Sequence, residues 1–437
     1  MKRGFPEHWV ETTLKEVVVS KKGKKPKILK DKPFPKSSPY IDIEAFETGL
    51  IKQYADNESS NICVPTDVLV VWDGARFGLA GFGQSGSIGS TLACLTPIIV
   101  EPRYLYKFIQ SHYSTIQQKP KGMATPHVDP DLFWNLELPL PPLNEQKRIA
   151  EKLDTILPKV KSARARLEKI PAILKKFRQS VLAAACSGKL TEDWREEYTE
   201  RTGKELPEWE EKKLNEIIYN IKYGYTSKSF SHGEIKYLRI TDIQNGKVSW
   251  ETVPFCQIEK NVIKKYLLEK NDIVFARTGA TTGKSFLIKD CPPSVFASYL
   301  IRIKPNTNIV SAEYLYFFFQ TEYYWLQINE NVAGIAQPNC NAQKLSNILI
   351  PLPPLEEQHE IVRRVEKLFA LADSIEEKYK KAHERVEKLE QAILARAFRG
   401  ELVKPDPNDE PAEELLKRIL EEKAKLEREQ KGKKRKK

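Results

Sequence analysis

The sequence predicts a mixed α/β (α+β) protein made by duplication. Two globular domains are joined by a long antiparallel coiled coil, giving an internal pseudo-two-fold. Three observations predict it: an ordered set of internal matches, short apolar runs broken by turn residues, and two unbroken heptad seams.

The internal matches come first. Residues 138–146, LPLPPLNEQ, recur as residues 350–358, IPLPPLEEQ, at an offset of 212. GMATPH at 122–127 answers GIAQPN at 334–339 at the same offset, and TDVLVVWDG at 66–74 answers NDIVFARTG at 271–279 at 205. RYLYKFIQ at 103–110 answers EYLYFFFQ at 313–320, and FPEHW at 5–9 answers LPEW at 206–209. The offset grows stepwise along the chain, as insertions in loops would make it. The expected domains are residues 1–143, a helical part 144–203, residues 204–355, and a helical part with a basic tail, 356–437.

Within each globular part, runs such as Val68–Val71, Ile98–Val100, Ile235–Ile240 and Val295–Ile303 read as strands between Gly, Pro and Asn turns. Tyr104–Ile109 and Tyr314–Phe319 open helix-like segments.

The helical parts carry the seams. The first runs through Ile149, Leu153, Ile156, Val160, Ala163, Leu167, Ile170, Leu174, Phe177 and Val181. The second runs through Ile361, Val365, Leu368, Ala372, Ile375, Tyr379, Ala382, Val386, Leu389 and Ile393. Steps of four and three alternate without a break, which is the a/d pattern of a coiled coil. About 40 helical residues give a rod of roughly 60 Å. Pro158 and Pro171 interrupt only the first seam and predict a kink there. A charged helix follows at 411–430, and residues 190–203 stand at the matching place in the first copy.

One stretch suggests different chemistry. GATTGKS at 279–285 looks like a phosphate-cradling loop. Such a loop needs four residues between its glycines and a helix after it. Here Gly279 and Gly283 are one residue too close, the following SFLIKD is strand-like, and the matching loop of the first copy, DGARFG at 73–78, has no Gly-Lys-Ser. The expected structure is a strand-loop-strand tip.

Lys and Arg number 71 against 59 Asp and Glu, a formal net charge of +12. That excess suits a polyanionic partner, nucleic acid before a membrane surface. The candidate DNA-contacting residues are Lys21, Lys22, Lys24, Lys25, Arg76, Lys121, Thr125 and His127 in the first copy. In the second they are Lys222, Tyr223, Lys228, Arg277, Thr278, Thr281, Thr282, Lys284, Gln337 and Asn339. Arg pairs with guanine edges, Asn and Gln with adenine, and Lys and Thr with phosphate. The competing reading is solvated turns with incidental charge. His127 is answered by Asn339, which argues against a metal or general-base role. The six cysteines are scattered without a C-x-x-C pair, as small apolar fillers in a reducing cytosol would be. No apolar run is long enough to span a membrane, and the first ten residues lack a secretion signal, so a cytoplasmic setting is expected.

The doubled [LI]-P-L-P-P-L-x-E-Q block, each copy followed by a heptad helix ending in Gly-x-Leu, resembles the DNA specificity subunits of type I restriction–modification systems. The resemblance covers essentially the whole chain. It implies that each globular part reads one half of a split DNA target. It also implies that the helical parts fix the gap and dock two methyltransferase subunits, with restriction and translocase subunits in the complex. It implies no catalytic residues and no metal on this chain. S-adenosylmethionine, ATP and magnesium are expected on the partner subunits.

Two other classes compete. A self-sufficient DNA methyltransferase would need an Asn/Asp-Pro-Pro-Tyr block and a glycine-rich cofactor loop. DCPPS at 290–294 lacks the aromatic residue, and no such loop follows a strand. The other is a stand-alone coiled-coil protein that binds DNA or acts as a scaffold; binding that fails to weaken as salt rises, or no DNA binding even with methyltransferase partners present, would favour the scaffold.

Overall fold

The computed structural model describes residues 4–121, 126–244, 246–330 and 340–435. It forms two compact units. One holds residues 1–167 with 381–437, the other residues 168–380.

In the first unit an antiparallel pair, Val10–Thr13 with Glu137–Leu140, ties the start of the domain to its last strand. A four-stranded sheet has the order Val18–Lys22, Leu92–Pro97, Val68–Val71, Ala80–Phe82, antiparallel throughout. Helix Pro102–Ser111 buries Tyr104, Leu105, Phe108 and Ile109 in the main core, and its first residue is a proline, which lacks only an N–H that the first turn does not use. A second, smaller core around Ile41, Phe46 and Ile88 lies against the other face of the sheet, through Leu69, Val71 and Cys94.

The second unit repeats this plan. Glu210–Lys213 pairs with Leu349–Leu352, and its four-stranded sheet runs Ile218–Tyr223, Leu300–Pro305, Ile273–Ala276, Ser285–Leu287. Helix Ala312–Phe318 stands where Pro102–Ser111 stands in the first. Two expected strands are corrected. Residues 98–100 are a bend after strand Leu92–Pro97, where Ile99 takes a left-handed φ of 51°. Residues 295–303 are two strands, Ser294–Phe296 and Leu300–Pro305, because the chain turns between them.

The PPLxEQ blocks are the joints between domain and helix. The two prolines end the last strand, and the helices Leu143–Leu167 and Leu355–Phe398 start directly after them. The buried Gln146 accepts from Glu101 N at 3.0 Å and donates to Pro141 O at 2.9 Å. Gln358 does the same with Ser311 N at 2.7 Å and Pro353 O at 2.8 Å. Tyr104 and Tyr314 donate their hydroxyls to Pro139 O and Pro351 O, at 2.6 and 2.5 Å. A buried amide with both ends satisfied fixes where each helix leaves its domain.

The first helical part is two helices rather than one kinked helix. Pro158 is carried inside Leu143–Leu167, and the break comes later, before Ile170–Ala185, with Pro171 in the first turn of the new helix. That is the place where a missing N–H costs nothing.

The seams are buried at the ends that join a core and shallow between. Ile149, Leu153 and Val160 are buried in the first unit, as are Leu174, Val181, Ile361, Val365 and Ala372 in the second. Ile156, Leu167, Leu368, Val386 and Ile393 are half-buried. Ile375 and Leu389 depart from the expected seam, at 39% and 43% exposed. Leu157, Leu182 and Leu394, each one position beyond a seam residue, are buried as well. In the second unit the polar pairs fix the direction. Arg178 meets Asp373 and Glu376, Arg364 meets Asp193, and Arg195 meets Glu357. Rising numbers on one segment meet falling numbers on the other, so the two segments run antiparallel.

Candidate nucleic-acid interface

In both units the four-stranded sheet ends in the same construction. Its outer strand, Val18–Lys22 or Ile218–Tyr223, stops at a glycine that bonds back across the sheet: Gly23 N to Leu92 O at 2.8 Å, and Gly224 N to Leu300 O at 3.1 Å. A Cβ on Gly23 would sit 1.9 Å from Gly89 O, and one on Gly224 would sit 2.1 Å from Ala297 O. Only glycine lets the strand end approach its neighbour this closely. The signal was present in the sequence, a lone Gly inside KKGKK and KYGYT, but its meaning appears only with the sheet built.

Beside that strand end lies the loop of the central hairpin. The equivalent positions are set by backbone bonds. Trp72 N donates to Thr91 O at 2.8 Å and Trp72 O accepts from Val128 N at 2.9 Å. Arg277 N donates to Tyr299 O at 3.0 Å and Arg277 O accepts from Cys340 N at 2.9 Å. Arg277 therefore corresponds to Trp72. Arg76, four residues further on, is the counterpart of Thr281.

The hairpin loop of the second unit is no phosphate cradle. Its amides are used internally: Thr282 N to Gly279 O, Gly283 N to Ala276 O and Lys284 N to Thr281 O, at 3.1, 2.8 and 3.0 Å. A single 3-10 turn, Gly279–Thr281, joins strands Ile273–Ala276 and Ser285–Leu287, so no helix N-terminus follows. Thr282 departs from its expected surface role. It is buried and its hydroxyl donates to Gly279 O at 2.7 Å. Thr281 and the exposed Lys284 line a cavity of about 170 Å³ with Ile240, Ile243, Ala276 and Ser285. Thr278 is half-buried at the start of the loop.

At the strand end, the Arg277 guanidinium lies 4.9 Å from the centre of the Tyr223 ring. The Tyr223 hydroxyl accepts from Ala342 N at 3.0 Å. Tyr299, which sequence reasoning missed, is 63% exposed next to them in the chain of backbone bonds. Lys222 is half-buried and Lys228 exposed.

In the first unit Lys21, Lys22, Lys24 and Lys25 are all exposed around Gly23. Lys22 pairs with Asp73 at 2.8 Å. His127 bridges by backbone to Asp73 and Lys121, and Lys121 lies 3.7 and 3.6 Å from Asp129 and Asp131. The sequence-predicted Lys22, Lys121 and His127 are thus brought together. Arg76 is not among them: it is exposed and pairs with Glu47 at 2.6 Å. Thr125, Gln337 and Asn339 lie outside the described residues.

The thiols offer no nucleophile. Burial pushes Cys63, Cys256, Cys291 and Cys340 up to about 11 and Cys186 to about 12, with Cys94 raised as well, so they stay protonated at neutral pH. Among the described residues no group of three or more His, Cys, Asp or Glu is placed to hold a metal, and no helix is long and apolar enough to cross a membrane.

The profile of the type I restriction modification DNA specificity domain matches this chain twice, over residues 6–172 and 207–384. The chain belongs to that specificity family. The two matches fall on the two copies read from the sequence. The specificity subunit of the type I restriction enzyme EcoBI from Escherichia coli is 34% identical over 377 residues, covering 78% of this chain and 79% of the relative. That of MjaVIII from Methanocaldococcus jannaschii is 28% identical over 410 residues, covering 91% and 93%. The crystal structure of the HsdS subunit from Thermoanaerobacter tengcongensis superposes with a TM-score of 0.60 at 18% identity, covering 91% and 98%. The specificity-family fold therefore spans both units, and recognition of DNA sequence is the function of this chain.

Proposed function

We propose that this chain is the non-catalytic DNA-reading subunit of a type I restriction–modification complex, and that each unit reads one half of a split, asymmetric target. One observation carries this reading. The two sheets end in the same glycine-pinned backbone, yet that backbone presents Lys21, Lys22 and Trp72 in one unit and Lys222, Tyr223 and Arg277 in the other. A shared scaffold with different side chains suits two readers of two different short sequences.

Lysines around Gly23 would bind phosphate and make affinity fall with salt. The helical segments would set the gap between half-targets and dock two methyltransferase subunits, with restriction and translocase subunits beyond them. S-adenosylmethionine, ATP and magnesium would be held by those cytoplasmic partners. A stand-alone methyltransferase is the weaker reading, since the chain has no Asn/Asp-Pro-Pro-Tyr block and no glycine-rich cofactor loop.

The test is to express the chain with its methyltransferase subunits and map the methylated motif in the host genome. A motif of two defined parts with a fixed unspecified gap is the expected result. Methylation that does not depend on this chain, or a continuous motif, would refute the reading.

A further inference from the structure

Arg277 is built as a reading residue. Both its backbone groups are held, by Tyr299 O and Cys340 N. Its side chain lies over Tyr223, and Tyr223 is itself pinned through its hydroxyl to Ala342 N. That amide opens helix Ala342–Ser346, whose N-terminus is capped by Asn341 on Lys344 N at 2.8 Å. The stack therefore rests on an ordered element on one side and a sheet strand on the other. Stacking costs the guanidinium none of its hydrogen-bond donors, because it uses the face and leaves the edge.

The edge is unspent. Arg195, Arg239 and Arg364 in the same unit each grip a carboxylate. Among the described residues Arg277 has no such partner, and its Nε is buried with nothing to donate to. A planar fork of donors, fixed in place and unmatched within the protein, fits a planar pair of acceptors. The O6 and N7 atoms of guanine are that pair in the major groove. The first unit has no arginine at this position. Trp72, at the equivalent strand position, packs its ring against Phe133 and Trp134, with centroids 5.4 and 5.7 Å away.

We propose that Arg277, clamped by Tyr223, reads the O6/N7 edge of one guanine in the half-target of the second unit, and that Trp72, at the equivalent position of the first unit, makes no such contact. The inference rests on the DNA-reading function proposed above and adds one base to it.

The experiment uses the full chain assembled with its methyltransferase subunits and a duplex carrying the mapped motif. Each guanine of the motif is replaced in turn by 7-deazaguanine, which removes the N7 acceptor and leaves the pairing intact. At one guanine, wild-type affinity should fall roughly fivefold to tenfold, the loss of about one hydrogen bond. Arg277→Ala should bind the unmodified duplex less tightly and be indifferent to that replacement. Arg277→Lys, which keeps the charge, should discriminate guanine from other bases roughly tenfold to a hundredfold less than wild type. Equal 7-deazaguanine penalties in wild type and Arg277→Ala at every guanine would overturn the inference, as would discrimination by Arg277→Lys equal to wild type. Failure of the underlying reading looks different: wild type would not prefer the motif duplex over a scrambled one.

Discussion

Arg195 donates to the carboxylate of Glu357 at 2.6 Å, and Glu357 has no exposed surface. Thr191 and Trp209 complete the carboxylate's shell at 2.7 and 3.0 Å, while Arg195 also caps Leu206 O and Pro207 O. One buried acid at the start of a helix therefore gathers the whole segment between residues 191 and 209. Breaking a buried pair by removing one partner costs about 3–5 kcal/mol. Arg195→Ala should lose that much in urea unfolding of the chain. Glu357→Gln strands the Arg195 guanidinium instead, but that group is 23% exposed and keeps its bonds to Leu206 O and Pro207 O, so this variant should lose less.

Gly23→Ala and Gly224→Ala should each destabilise by about 1–3 kcal/mol, because the added methyl meets a backbone carbonyl that cannot swing aside. Gly203→Ala is the control for left-handed backbone without crowding, since nothing stands within 4 Å of its missing Cβ. Thermal melts of the three variants check the order. Equal shifts would mean that close approach is not what the two strand-end glycines provide.

The depth of the seam is measurable. Ile361→Ala removes a fully buried side chain and should cost about 2–5 kcal/mol. Leu389→Ala removes one that is 43% exposed and should cost about 0.5 kcal/mol or less. Chemical denaturation of both variants separates a seam buried throughout from one buried only at its ends.

Acid should act through Asp409. Its hydrogen bond to Arg148, at 2.6 Å, holds its carboxyl below the usual range. The folded state therefore favours the ionised form. The stability this pair contributes is complete above the unfolded carboxylate value of about 3.9 and is lost as pH falls through the lower folded value. Arg148→Gln should lower the melting temperature at neutral pH and flatten its decline below about pH 4. A curve parallel to wild type would show that the pair contributes nothing.

DNA binding should show a linear fall of log affinity with log salt. Replacing Lys21, Lys24 and Lys25 together by Gln should make the slope shallower by about 0.9 for each phosphate that the variant no longer neutralises. Titration of labelled target duplex at several salt concentrations reads it. An unchanged slope would place the phosphate-binding groups elsewhere.

The duplication, the helix starts and the strand-loop-strand tip were legible from sequence because each depends on local pattern: repeated strings, heptad spacing and proline. Ile98–Val100 misled because three apolar residues in a row look the same whether they extend a strand or bend under a helix. The helix break fell after Leu167 rather than at Pro158, since a proline can be carried inside a helix and is most at home in the first turn of a new one. The interface was legible as basic loops but not as geometry. Arg76 and Arg277 look alike as arginines of the same loop, but the offset of 205 already sets Trp72 against Arg277, and the backbone bonds of Trp72 agree with it. Tyr223 and Tyr299 sit far apart in sequence and meet Arg277 only through the sheet.

The hairpin 273–287 also carries a lesson for scanning genomes. A glycine, a lysine and a serine in nearly the right order arise here from turn-making, with the amides of Thr282, Gly283 and Lys284 already given to carbonyls a few residues away. Fingerprints of this sort become diagnostic only when the amide groups are free to face outward, so string matching alone will keep reading a nucleotide into turns whose amides are tied to their own carbonyls.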